Sequence, residues 1–253
     1  MQITYVKHSG TDLDVVNAAR VSFKKKSTWK PYDGENSNEF RLEERDSKLI
    51  YYLARNKHFS PFNHCFATFH VKAPIYVSRQ LQKHEYMPWN EASRRYVDDN
   101  PEFYVPQYWR KKAEDKKQGS GDNMELTLFR TNCINNISSG ATTTYRELIK
   151  DGVAPEMARS ILPQSMMTEW IWSASLGAFS KMCNLRCTFN TQEETRIVAD
   201  SISTILEGLF PVSWNALMSR EVKARQAIAE LEKREKKEAE LKEFWLDGKE
   251  HND

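Results

Sequence analysis

Cys65-Phe66-Ala67-Thr68-Phe69-His70-Val71-Lys72-Ala73-Pro74-Ile75-Tyr76-Val77-Ser78-Arg79-Gln80-Leu81 changes its hydrophobic period part-way along. Up to Ala73 the odd positions are small or apolar, and Thr68, His70 and Lys72 alternate with them. Only Phe66 breaks the pattern, so the segment predicts a strand with one buried face. Pro74 suits the opening of a helix, because its missing N–H is not needed in a first turn. That helix is expected to run over 75–83 and must stop before Pro88.

Outward from this junction, helical patterns dominate. A short apolar strand at 3–6 precedes Asp12, which can cap a helix through Val16, Ala19 and Arg20. Residues 24–38 are basic at first and then turn-rich, an inserted loop. Leu42, Leu49, Ile50 and Leu53 mark a second helix, and 98–121 a second polar loop. Ile134, Ile137, Ala141, Tyr145 and Leu148 recur at helical steps and close at Asp151-Gly152. Pro155 starts a short helix through Arg159, and Pro163 ends it. The stretch 170–183 reads as helical and largely buried. Thr191 and Glu194 form a capping-box signature ahead of Ile197, Val198, Ile202, Ile205 and Leu209. From Glu221 onward more than half of the positions are charged, with too few apolar residues for a heptad seam. The expected fold is α+β: a helix-rich single domain with a small antiparallel sheet over 1–219, then a charged C-terminal helical extension over 220–253.

Thirty-seven Lys plus Arg stand against 35 Asp plus Glu, a net charge of +2, so the chain is not built to coat a polyanion. A nucleic-acid module would have to use the lysines at 24–26, 111–112 and 116–117, and the overall balance disfavours it. No run approaches the ~18 apolar residues of a membrane helix, and the first residues lack the pattern of a signal peptide. A soluble, cytoplasmic protein is expected. Cys65, Cys133, Cys183 and Cys187 form no Cys-x-x-Cys pair and read as small, mostly buried thiols rather than a zinc site.

Functional side chains are densest from Arg79 to Tyr96. On a helix, Gln80, Lys83 and His84 fall at i, i+3 and i+4 and share a face. After Pro88, Asn90, Glu91, Ser93 and Arg95 supply amide, carboxylate, hydroxyl and guanidinium, a set that can hold a small polar anion. Polar helix ends and loops are common, so a solvated surface stays open as the alternative. Arg186, between Leu185 and Cys187, needs a strong partner in an apolar stretch.

Ordered blocks then resemble the flavin-dependent thymidylate synthases. They are Ala18-Ala19-Arg20-Val21-Ser22-Phe23, Glu44-Arg45-Asp46, His58-Phe59-Ser60-Pro61-Phe62-Asn63-His64 and Phe69 through Ile75. The run from Arg79 to Tyr96 follows, then Ala158-Arg159, Leu162-Pro163 and Asn184-Leu185-Arg186. The likeness spans about 12–190, outside the insertion at 24–38.

The resemblance implies reductive methylation of dUMP to dTMP. Methylenetetrahydrofolate would give the carbon and NADPH the electrons through FAD, in a homotetramer with shared active sites. It implies nucleotide contacts at Gln80, Lys83, Glu91, Ser93, Arg94, Arg95, Arg159 and Arg186, with Arg186 the catalytic cation beside the ionised uracil. Flavin-side positions are His58, Ser60, Lys83, His84, Glu85, Asn90, Glu91, Ser175, Gly177 and Lys181. The family's Arg-His-Arg stands here as Lys83-His84-Glu85, and Pro88 replaces a serine. Ser175 and Lys181 replace asparagines, and Gly177 replaces an arginine. Two arrangements stay open: Lys181 supplies the missing cation, or the pocket is rebuilt around Glu85 by pairing it with Lys83 or Lys181. Related outcomes are another C5-modified pyrimidine nucleotide, or a nucleotide-binding homologue with weakened flavin use.

Overall fold

The alternation at 65–73 becomes the centre of a sheet in the computed structural model, which describes residues 1–32, 40–96, 99–113 and 119–247. Part of the predicted insertion (33–39), Asp98, Lys116, Lys117 and the last six residues (248–253) lie outside them. The chain runs β1 (Gln2–Ser9), α1 (Asp12–Arg20), β2 (Lys30–Pro31), β3 (Phe40–Arg41), α2 (Glu44–Arg55), β4 (Phe66–Pro74) and α3 (Ile75–Leu81). Next come β5 (Trp89–Glu91), β6 (Trp109–Arg110), β7 (Asn123–Met124), α4 (Leu128–Lys150) and α5 (Pro155–Ala158). β8 (Met167–Ser175), α6 (Leu176–Arg186), α7 (Glu193–Leu209), α8 (Pro211–Leu217) and α9 (Arg220–Asp247) complete it. The α+β class and the small antiparallel sheet are as expected.

The sheet has the order β1-β4-β8-β5, every neighbouring pair antiparallel. Ala67, Phe69, Val71 and Ala73 of β4 stand opposite Ala174, Trp172, Trp170 and Thr168 of β8. Paired residues share a face, so these eight build one buried surface. Phe69 and Trp172 both meet Phe179 of α6 edge-on, at 5.3 and 5.5 Å between ring centroids. Each such ring contributes roughly 1.5–3 kcal/mol by leaving water. The other face is polar: Thr68 hydrogen-bonds Ser173 at 2.9 Å, and His70 approaches Glu169 at 3.2 Å.

Several expectations need correction. The stretch 170–183 is not one helix: β8 carries the first part, because Thr168, Trp170, Trp172 and Ala174 alternate inward. α3 ends at Leu81, so Lys83 and His84 lie in the turn beyond it and not on its face with Gln80. Thr191 and Glu194 form no capping box: Thr191 donates to the Leu185 carbonyl at 3.1 Å, and Glu194 pairs with Arg110 at 2.6 Å. Asp12 is the first residue of α1 rather than its cap. Its carboxylate instead accepts the Val212 and Ser213 N–H groups, both at 2.9 Å, at the start of α8. The loop read over 98–121 contains β6, which pairs with β7, and the insertion read over 24–38 contains β2, which pairs with β3 just beyond it. α9 docks its first turns through buried Val222 and Arg225, the latter on Asp200.

β4 and β8 each pass into a helix without a loop. Being antiparallel neighbours, they launch α3 and α6 from opposite ends of the sheet, and the C-terminal ends of the two helices meet. β5 is anchored beside them by Trp89, stacked on Trp170 at 4.3 Å.

Candidate active site

Where α3 and α6 meet, Arg186 donates through Nε to His84 Nε2 at 3.1 Å and through a terminal N–H to the Gln80 carbonyl at 3.3 Å. A guanidinium only donates, so His84 Nε2 must accept and its ring proton sits on Nδ1. Burial, reinforced by the adjacent Arg186 charge, lowers the His84 pKa to about 4. The ring is therefore neutral at neutral pH. Burial also lowers the Arg186 pKa, but from so high a starting point that the guanidinium stays charged. The partner that Arg186 needs is thus a neutral ring and a carbonyl, and among the described residues no carboxylate compensates its charge.

The other face of α3 looks onto a cavity of about 790 Å³ lined by Arg79, Glu91, Ser93, Arg94, Arg95 and Arg159 among others. Successive helix residues point about 100° apart, so Arg79 lines this cavity while Gln80 turns towards α7. Glu91 is fixed by two donors, Thr168 at 2.7 Å and the Trp89 indole at 3.0 Å. Arg95 Nε donates to Ser93 Oγ at 3.1 Å, and its guanidinium lies over the Tyr96 ring. Arg94 is neutralised by Asp99 at 2.6 Å and holds the turn in place. Arg159 reaches only the Glu156 backbone carbonyl, at 3.3 Å. Among the described residues, Arg79, Arg95 and Arg159 have no carboxylate partner. Three unpaired guanidiniums beside a hydroxyl are groups that can hold a phosphate, and Glu91 and Glu156 also line the cavity.

A third region, a cavity of about 950 Å³, is lined by Phe23, Lys25, Tyr52, Lys57, His58 and Ser60 among others. Arg20 lies at its wall and is paired with fully buried Asp46. Lys181 sits 5.1 Å above the ring of Phe59, another lining residue. Here aromatic faces and lysines offer surfaces for a planar ring and its anionic tail.

The other flavin-side candidates either make contacts within the fold or face solvent. Ser175 caps α6, accepting the Ala178 N–H at 3.2 Å, and donates to Asn63 at 2.8 Å. Gly177 is buried, and a Cβ there would collide with Asn63 Oδ1. Both positions are filled by the fold's own contacts because Asn63 occupies the space. Lys83, Glu85 and Asn90 are exposed. Glu85 pairs with neither Lys83 nor Lys181, so the rebuilt ion pair is absent among the described residues. Sequence reasoning misses Arg79 as a candidate, although it heads the densest run of functional side chains; the one signal is its place beside Gln80. The network behind Gln80, through Gln192, Glu194, Thr195 and Arg110, has no local signal at all.

The family model described as thymidylate synthase complementing protein matches residues 4–212. The flavin-dependent thymidylate synthase of Kosmotoga olearia is 34% identical over 219 residues, 86% of this chain and 90% of that protein. That of Thermus thermophilus is 37% identical over 218 residues, 85% and 74% of the two chains. Among solved structures, the UMP/dUMP methylase PolB from Streptomyces cacaoi bound with 5-Br dUMP matches with a TM-score of 0.72. It is 30% identical and is covered over 93% of its length, against 85% of this chain. The same methylase bound with 5-Br UMP matches with a TM-score of 0.70.

Proposed function

Because the chain belongs to the thymidylate synthase complementing protein family, with the flavin-dependent thymidylate synthases, we propose that it converts dUMP to dTMP. Methylenetetrahydrofolate supplies the carbon and NADPH the electrons. The balance is dUMP, methylenetetrahydrofolate, NADPH and a proton giving dTMP, tetrahydrofolate and NADP⁺. The uracil C5–H gives way to C5–CH3, and the two electrons of NADPH reduce the transferred carbon to a methyl group. FAD, when bound, supplies the redox chemistry that carries those electrons.

This chain's own residues divide the remaining work. Arg79, Arg95, Arg159 and Ser93 hold the nucleotide phosphate. Glu91, immobilised by Thr168 and Trp89, is oriented to accept from a ligand hydroxyl. Arg186 offers a fixed cation where the uracil ring gains negative charge, and a preorganised group of this kind is commonly worth ~100- to 1000-fold in rate. His84 holds that cation in place and is not a proton source at neutral pH. Tyr52, Phe23 and His58 offer faces to the flavin ring, and Lys25, Lys57 and Lys181 offer cations to its diphosphate; Ser175 and Gly177 take no part.

Arg186 and the phosphate cavity lie on different faces of α3, which supports a site completed by a second copy in a homotetramer. Leu128, Phe129 and Ile137, exposed along α4, provide apolar surface for such an assembly.

The three unpaired arginines around one cavity carry this reading. A ligand that binds only the native state raises the melting temperature. dUMP should therefore stabilise the protein, and deoxyuridine, lacking the phosphate, should do so far less; equal shifts would defeat the phosphate site. Product analysis with dUMP, methylenetetrahydrofolate and NADPH then identifies the C5 substituent. The neighbour bound with 5-Br UMP favours a second reading, that UMP is also methylated, and UMP in the same assay tests it.

A further inference from the structure

Gln80 is held by a chain of hydrogen bonds that has a direction. The Thr195 hydroxyl donates to Gln80 Oε1 at 3.1 Å, and Gln80 Nε2 donates to Gln192 Oε1. Gln192 Nε2 in turn donates to Glu194 Oε2 at 3.0 Å. Glu194 is 3% exposed, and its other oxygen accepts from Arg110 of β6 at 2.6 Å. Arg110 also reaches Glu193 at 3.0 Å.

An amide is nearly symmetrical in shape, so packing alone does not decide which end is nitrogen. An ionised carboxylate decides it, because it only accepts. Glu194 therefore forces Gln192 to present its NH2 group, which turns the Gln192 carbonyl towards Gln80. Gln80 must then present its own NH2 group to that carbonyl and its oxygen to Thr195. A flipped Gln80 would set two carbonyl oxygens against each other. Burial works against ionisation of Glu194, but hydrogen bonds and charge from Arg110, with its own backbone N–H, outweigh it and lower the pKa.

We propose that Thr195 and Gln192, anchored by the Glu194–Arg110 pair, are positioning residues that fix the Gln80 amide and so select the hydrogen bonds it offers the nucleotide. Each amide has two donor hydrogens and two acceptor lone pairs. Gln192 and Thr195 use one of each, leaving one N–H and one lone pair in a set orientation. The ordering penalty is met before the ligand arrives, as preorganised sites require. The proposal rests on the nucleotide reading above, with Gln80 beside Arg186 on the face that a second copy completes, and deepens it.

A double-mutant cycle tests it, with dUMP affinity measured by calorimetry. Thr195 is fully buried, so Thr195→Val keeps its shape and removes the donor. Binding must then order a freed amide, which predicts dUMP affinity about five-fold weaker. Thr195→Ser, which keeps the hydroxyl, should restore parental affinity. In a Gln80→Ala background, Thr195→Val should cost nothing further, since contacts in one network are not additive. Equal losses in both backgrounds, or no rescue by serine, overturn the proposal while the nucleotide reading stands. A parent protein that does not bind dUMP overturns both. If Thr195→Val does not fold, Gln192→Leu provides the same cycle with the same two outcomes.

Discussion

A histidine that accepts from an arginine has no room for a second proton, and this couples His84 to acidity. Its pKa falls from 6.5 to about 4 on folding, through burial first and the Arg186 charge second. Between those values the unfolded chain binds a proton that the native state refuses. This contribution to stability therefore falls as pH drops from 6.5 towards about 4, and is complete above 6.5. Urea midpoints across that window should decline less steeply in His84→Gln than in the parent, because the variant has nothing to titrate. Parallel declines would show that folding does not lower the pKa of this ring. At this scale the motif makes Gln80, His84 and Arg186 conspicuous, but not their partners. His84 reads as a flavin-side group, whereas its contact is with a guanidinium 102 residues later in the chain.

The passage from β8 to α6 turns on one missing side chain. Gly177 lies against Asn63, so Gly177→Ala must push that amide aside and disturb its bond from Ser175. Overpacking of this kind costs about 1–3 kcal/mol, read as a lower denaturant midpoint. Asn63→Ala should relieve the clash in the double variant, leaving Ser175 to seek water; a Gly177→Ala protein as stable as the parent would show that Asn63 moves freely. The neighbouring strand also marks the limit of pattern reading. β4 is legible because Thr68, His70 and Lys72 interrupt its apolar face. In β8 the outward Ile171 joins the inward Trp170 and Trp172 into a continuous apolar run, and buried α6 extends it. Period alone does not separate such a run from a helix. The Thr191–Glu194 spacing matches a capping box, but an arginine 84 residues away claims the carboxylate, and no local rule encodes that distance.

For the whole molecule, α3 acts as a partition, with Arg79 and Gln80 adjacent in sequence and opposite in outlook. If each active site takes one face from each of two copies, Arg186→Ala and Arg159→Ala subunits, each inactive alone, should complement when mixed. Statistical mixing would leave about a quarter of the sites intact in a symmetric assembly. Activity no greater than the sum of the two separate variants would place a whole site within each copy. The anchoring of α8 by Asp12 spans 200 residues, and it has a meaning in time. During translation Asp12 emerges 200 residues ahead of Val212, and all four strands of the central sheet are made before Val212 and Ser213 appear. The growing chain therefore carries a carboxylate with no helix to cap until α8 emerges. Contacts this distant in sequence form late and slowly, so the core seals only once α8 has been made. Until then its tryptophans are the surface that chaperones meet.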